Sequence, residues 1–85
     1  MYRVEISRDA IRALKRIPRN AAILIRSKID RLAIDPYAVN NNVKKLTGRP
    51  GYRLRVGDWR VIYDLDDRMR ILAVERITSR GEAYQ

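Results

Sequence analysis

Residues 52–63 read "YRLRVGDWRVIY", two apolar–arginine alternations that meet at Gly57-Asp58. Successive side chains of a strand point to opposite faces, so each alternation predicts a strand with one buried side. Glycine at the first position of a two-residue connection suits a type II′ turn, whose twist matches the flanking strands. That register pairs Val56 with Trp59, Arg55 with Arg60, Leu54 with Val61 and Arg53 with Ile62. Tyr52, Leu54, Val56, Trp59, Val61 and Tyr63 then share a face that packs inward, and Arg53, Arg55, Arg60 and Ile62 share the other.

Working outward, Tyr2-Arg3-Val4-Glu5-Ile6 alternates as a strand. Ser7 fits the N-cap of a helix carrying Ala10, Ile11, Leu14 and Ile17 at helical spacing, ended by Pro18. Asn20 is placed to cap a second helix running to about Ala33, buried along Ala22, Ile25, Ile29 and Leu32 and stopped by Asp35-Pro36. The short link at Pro18-Arg19-Asn20 makes the two an antiparallel hairpin. Residues 39–42 and 47–51 read as loops on either side of Val43-Lys44-Lys45-Leu46. Strands are expected at Tyr52–Val56, Trp59–Leu65 and Met69 to about Ile77, with a turn at Asp66-Asp67, and the tail from Thr78 to Gln85 stays unassigned. The length of that turn sets the face of Arg76, which the sequence does not fix. One strand, two helices and a strand meander predict a single α+β domain over residues 1–85, an antiparallel sheet with helices on one face.

The chain carries 19 Lys+Arg against 10 Asp+Glu, a net charge of +9 in 85 residues. Residues 1–40 hold 9 positive and 4 negative side chains, residues 41–65 hold 6 and 2, and residues 66–85 hold 4 and 4, so the surplus lies before residue 66. Such a surplus favours a polyanionic partner, nucleic acid first. With 46% hydrophobic residues the chain folds rather than forming a basic tail. The absence of Cys and His removes disulfides, thiol chemistry, the common zinc ligands and the usual general base. The longest apolar run, Ala21–Ile25, is too short to span a bilayer, and no signal peptide precedes Tyr2. A reduced, cytoplasmic setting is expected, with no membrane contact.

The arginine face has an electrostatic cost. Two unit charges about 6 Å apart repel by about 0.7 kcal/mol in water and by roughly 3 kcal/mol at an effective dielectric near 20. Asp64 is the one acidic residue on that face of the two hairpin strands, and it lies toward the far end. Arg53, Arg55 and Arg60, with Lys44, Lys45 and Arg49 just before them, therefore make a candidate anion site. Guanidinium forks match phosphate oxygens, and a phosphodiester backbone neutralises several at once. Trp59, Tyr52 and Tyr63 are assigned to packing, and Glu75 and Glu82 to local ion pairs.

Residues 43–67, "VKKLTGRPGYRLRVGDWRVIYDLDD", resemble the central segment of the RelE/ParE superfamily of type II toxin–antitoxin toxins. Residues 74–84, "VERITSRGEAY", resemble its closing motif. The resemblance implies a toxin neutralised by a cognate acidic antitoxin. In RelE-like members it implies an mRNA endoribonuclease that works in the ribosomal A site, without metal or small-molecule cofactor, by attack of the 2′-hydroxyl on the adjacent phosphate. ParE-like members act on DNA gyrase instead, which is the alternative. By position, Arg53, Arg55 and Arg60 match the basic hairpin residues of RelE-like toxins, Arg80 the arginine of the closing motif and Tyr84 its tyrosine. Ser79 stands where a histidine is frequent. Arginine is a poor proton carrier because its pKa exceeds about 12, so Tyr84 becomes the candidate to orient or deprotonate the 2′-hydroxyl. Lys44, Lys45 and Arg49 are expected to contact RNA.

Overall fold

The computed structural model describes residues 1–79. Strand β1 (Arg3–Ile6) leads into helix α1 (Arg8–Arg16) and helix α2 (Arg19–Ile34). The edge strand β2 (Val43–Lys45) and the strands β3 (Tyr52–Val56), β4 (Trp59–Asp66) and β5 (Ile71–Ser79) follow. The α+β class is as expected, with both helices on one face of a five-stranded sheet ordered β1-β5-β4-β3-β2. The sheet is not antiparallel throughout, because β1 runs parallel to β5, Val4 beside Leu72 and Ile6 beside Val74. The helical hairpin and the meander separate these strands in sequence. No tight turn forces them antiparallel, and a long crossover permits the parallel pairing.

Ser7 caps α1 as predicted: its Oγ accepts from the Ala10 N–H at 3.0 Å and donates to the Glu75 carbonyl at 2.6 Å. Ile17 turns extended before Pro18, where a proline disfavours helical backbone in its predecessor. The face of α1 departs from expectation. Ala10 and Ala13 are buried whereas Ile11 is 41% exposed. Two alanines let the helix lie close on β5, which rotates Ile11 outward. Helix α2 starts earlier than predicted, with Pro18 at the N-cap and Asn20 inside the first turn, its Oδ1 accepting from the Ala21 N–H. Proline lacks an N–H and has its φ fixed, so it enters a helix at no hydrogen-bonding cost. Ile25, Ile29 and Leu32 are buried as expected, joined by Ala33, while Ala22 is only half-buried.

These helix residues meet Leu54, Val56, Val61, Tyr63, Leu72, Val74 and Ile77 in one core, with Trp59 and Tyr52 packed at its margin. Each fully buried aliphatic side chain here stabilises the fold by roughly 1.5–3 kcal/mol. Tyr52 and Tyr63 stack, ring centroids 5.4 Å apart. Among the described residues no helix is long and apolar enough to cross a membrane.

The β4–β5 connection is longer than the predicted Asp66-Asp67 turn. Asp66 stays in β4 and its Oδ1 accepts from the Met69 N–H, while Arg70 turns the chain at φ +55°. Tyr2 and Tyr37 both donate their hydroxyls to the Asp67 carboxylate, at 2.7 and 2.6 Å, tying the chain start and the segment after α2 to this turn.

Candidate nucleic-acid interface

The hairpin register is the one read from the sequence. Arg55 lies opposite Arg60, Arg53 opposite Ile62, Leu54 opposite Val61 and Val56 opposite Trp59. Gly57 has φ +59°, and among the described residues Arg70 is the one non-glycine at positive φ, so Asp58 keeps the negative φ of a type II′ turn. Cross-strand partners point to the same side, so Arg53, Arg55 and Arg60 share the face away from the helices.

Their environments differ. Arg55 is exposed and Arg53 half-buried, whereas Arg60 is only 2% exposed, which corrects the expectation of three solvent-facing guanidiniums. Strand β4 is central, and Arg60 stands between Arg55 on β3 and Thr78 on β5, itself buried. Arg55, Gly57, Asp58 and Arg60 line a cleft of about 120 Å³ at the tip of the hairpin. At about 30 Å³ per water molecule, that is room for a compact anionic group.

Arg76 joins this face, and it does so through a β-bulge. From Asp66 to Tyr63, β4 pairs with Ile71 to Val74. Then the register shifts, and Ile62 faces Arg76 with Glu75 left over. Without the extra residue Arg76 would face Val61 and point into the core. The Ser7 hydroxyl grips the Glu75 carbonyl, so the α1 cap and the bulge share one side chain. No count of alternation along β5 finds this, because one inserted residue inverts the parity.

The preceding basic residues divide. Lys44 pairs with Arg53 and joins the basic face, while Lys45 pairs with Tyr52 and points to the opposite side, so it does not belong to the cluster. Arg49 is ion-paired with Glu75 at 3.4 Å, so the glutamate's partner lies 26 residues away and the pair is not the local one expected; both are well exposed, so solvent screens the pair. Beside it Gly51 is buried at φ +112° against β4. Arg80 and Tyr84 lie outside the described residues.

The acidic groups near the cluster are few. Asp58 lines the cleft from the turn, Asp64 shares the face but accepts from the Leu65 N–H at 2.8 Å, and Glu75 faces Arg49. The described tyrosines with perturbed titration are all pushed the wrong way for a base. Burial raises the Tyr63 phenol, and the hydrogen bond to Asp67 raises those of Tyr37 and Tyr2. Lys44, Arg53, Arg55, Arg60 and Arg76 thus form a basic field on one half of an open sheet, suited to holding phosphates and stabilising charge rather than moving protons.

A strand, a helical hairpin and a meander bearing basic residues on its uncovered face define the class, the compact α+β toxins of the RelE/ParE superfamily. The chain belongs to the family of ParE toxins of type II toxin–antitoxin systems, whose family model matches residues 4–84. A chain of the archaeal RelE-RelB complex from Pyrococcus horikoshii OT3 is 30% identical, covers 94% of this chain and 96% of its own, and superposes with a TM-score of 0.80. The isolated E. coli RelE toxin shares the fold at 19% identity and TM-score 0.79, covering 99% of this chain and 92% of its own. The YoeB/ParE toxin from Agrobacterium tumefaciens does so at 14% identity and TM-score 0.76, covering 91% and 96%. No curated protein matches the chain in sequence.

Proposed function

We propose that this toxin is a ribosome-dependent mRNA endoribonuclease of the RelE kind, acting in the A site in the cytoplasm and inhibiting translation. The observation that carries the reading is the cross-strand pair Arg55–Arg60 at one small cleft, within a field that also includes Arg53, Arg76 and Lys44. In the reaction the 2′-oxygen bonds to phosphorus and the bond from phosphorus to the 5′-oxygen breaks. That leaves a 2′,3′-cyclic phosphate and a 5′-hydroxyl. Arg55 and Arg60 stabilise the added negative charge on the phosphorane, a term that is often the largest in such catalysis. Tyr84, as phenolate, takes the 2′-hydroxyl proton, and water protonates the leaving oxygen. This chemistry calls for no metal or small-molecule cofactor. Positioning of the message by the ribosome supplies the remaining rate.

The partner proposed for the resting state is an acidic antitoxin, in keeping with the RelB chains that accompany similar toxins in solved complexes and with the net charge of +9. The test is a translation extract with mRNA 5′ ends mapped. Wild-type protein should produce cuts at A-site codons, and Arg55→Ala or Tyr84→Phe should slow cleavage by about 10²–10³-fold, the usual cost of losing one group that stabilises or activates the reacting centre. Because Arg60 is buried, Arg60→Ala reports on folding as well as chemistry. Intact message together with inhibited DNA supercoiling would replace this reading by the gyrase one, in which the same fold acts by protein contact.

A further inference from the structure

We propose that the chain holds a second RNA contact, a groove that takes the single strand as it leaves the Arg55–Arg60 cleft, rounds the sheet edge and reaches α2. This rests on the RNA-cleaving reading and names where its substrate runs. A cavity of about 470 Å³ lies between the C-terminal half of α2 and the loop before β2. Lys28, Arg31, Asp35, Asn40, Asn42 and Arg55 supply its polar lining, and Ile34 and Val39 part of its apolar lining.

Arg55 borders both this groove and the hairpin cleft, so one guanidinium stands at the margin of each. The cause is the shortness of β2. It pairs with residues 52–54 and stops, so Arg55 lies beyond the paired stretch, held there by its N–H to the Asn42 carbonyl at 2.8 Å. Its side chain stands at the margin of both cavities.

The lining suits nucleotides. Lys28, Arg31 and Arg55 oppose a single acid, Asp35, and none of the three cations is in an ion pair among the described residues. Val39 is 99% exposed and Ile34 is 63% exposed, apolar surface set beside cations and amides. Phosphates would meet Lys28 and Arg31, while unstacked bases would lie on guanidinium planes and on Val39 and meet the Asn42 amide with their edges. Only a single strand can splay its bases in this way. A helix or strand of a partner protein would use the apolar residues and leave the cations unmatched unless it were acidic.

The experiment measures anisotropy of labelled 2′-O-methyl oligonucleotides, which cannot be cleaved, on the full chain and on Lys28→Ala/Arg31→Ala. Both sites are exposed on a helix where alanine is well tolerated, and circular dichroism checks the fold. The double variant should bind a nonanucleotide about tenfold more weakly and lower the slope of log K against log salt by about 1.4, or about 0.7 per lost phosphate contact. Its affinity for a trinucleotide, which seats one phosphate in the cleft, should stay within about twofold. A photoreactive benzoylphenylalanine in place of Val39 should crosslink to the nonanucleotide and not to the trinucleotide. An unchanged slope or an absent crosslink overturns the groove. Loss confined to antitoxin affinity would assign it instead to an acidic protein segment. Message cleavage by the wild-type chain is scored separately: cleavage with no groove effect sinks only the groove, whereas no cleavage and no oligonucleotide binding sinks the RNA-cleaving reading itself.

Discussion

Gly51→Ala is expected to be the most destabilising glycine substitution in the loop between β2 and β3, and the structure sets its size. Gly51 has φ +112°, and a Cβ there would stand 3.0 Å from the Tyr63 carbonyl oxygen and 3.4 Å from Cδ1 of Leu46. The leucine methyl can yield, but the carbonyl belongs to a central strand and moves only with the sheet. A backbone region essentially reserved for glycine costs of order 1–3 kcal/mol, and forcing an extra carbon into packed surroundings adds about 1–3 kcal/mol. A total of about 2–6 kcal/mol is a large share of the roughly 5–15 kcal/mol that holds a domain together. The matched control is Gly48→Ala, at φ +77° with nothing within 4 Å of the added carbon, where the left-handed backbone alone costs about 1–2 kcal/mol. At about 4–8 °C per kcal/mol for a domain this small, thermal unfolding followed by circular dichroism should show a fall several times larger for Gly51→Ala. Equal shifts for the two variants would mean that the loop is not seated on β4, and the placement of Arg49 beside Glu75 would go with it.

Ser7→Ala removes the cap on Ala10 and the donor to the Glu75 carbonyl, and should cost about 1–3 kcal/mol in urea unfolding. Ser7→Thr should retain most of that stability, and a wild-type midpoint in Ser7→Ala would show that the bulge stands without this link. Asp67 is held below its ordinary carboxyl value of 3.8, first by the Tyr37 hydroxyl and then by that of Tyr2. A carboxylate depressed on folding contributes stability that is present above its unfolded pKa and lost as pH falls through the folded one. Tyr37→Phe should therefore move the Asp67 carboxyl titration upward in carbon-detected NMR and soften the acid dependence of unfolding; an unmoved titration would refute the contact. The Tyr37 phenol is raised by the same bond, so its contribution is fully present below about pH 10 and disappears as pH climbs through the folded value.

Local chemistry made part of this protein legible in advance. The Gly57-Asp58 turn fixes a register because strand side chains alternate, and the cross-strand pairs of the hairpin are those the residues predict. Ser7 is a cap because its hydroxyl reaches an N–H three residues on, a distance the chain itself sets. The basic surplus and the absence of Cys and His limit the chemistry before any fold is known. Four placements needed the whole molecule. The parallel seating of β1 on β5, the inward turn of Ala13 in place of Ile11, the burial of Arg60 and the arrival of Arg76 on the basic face all depend on which distant elements meet. Arg60 reads like Arg53 in sequence, yet folding leaves the first 2% exposed and the second half-buried. Arg76 shows the limit most plainly, since one unpaired residue, Glu75, held by a serine 68 positions away, decides which side of the sheet receives a charge. Alternation and capping act over a few residues and can be read from them. Sheet order, bulges and burial are settled by competition among long-range contacts, which no short stretch of sequence contains.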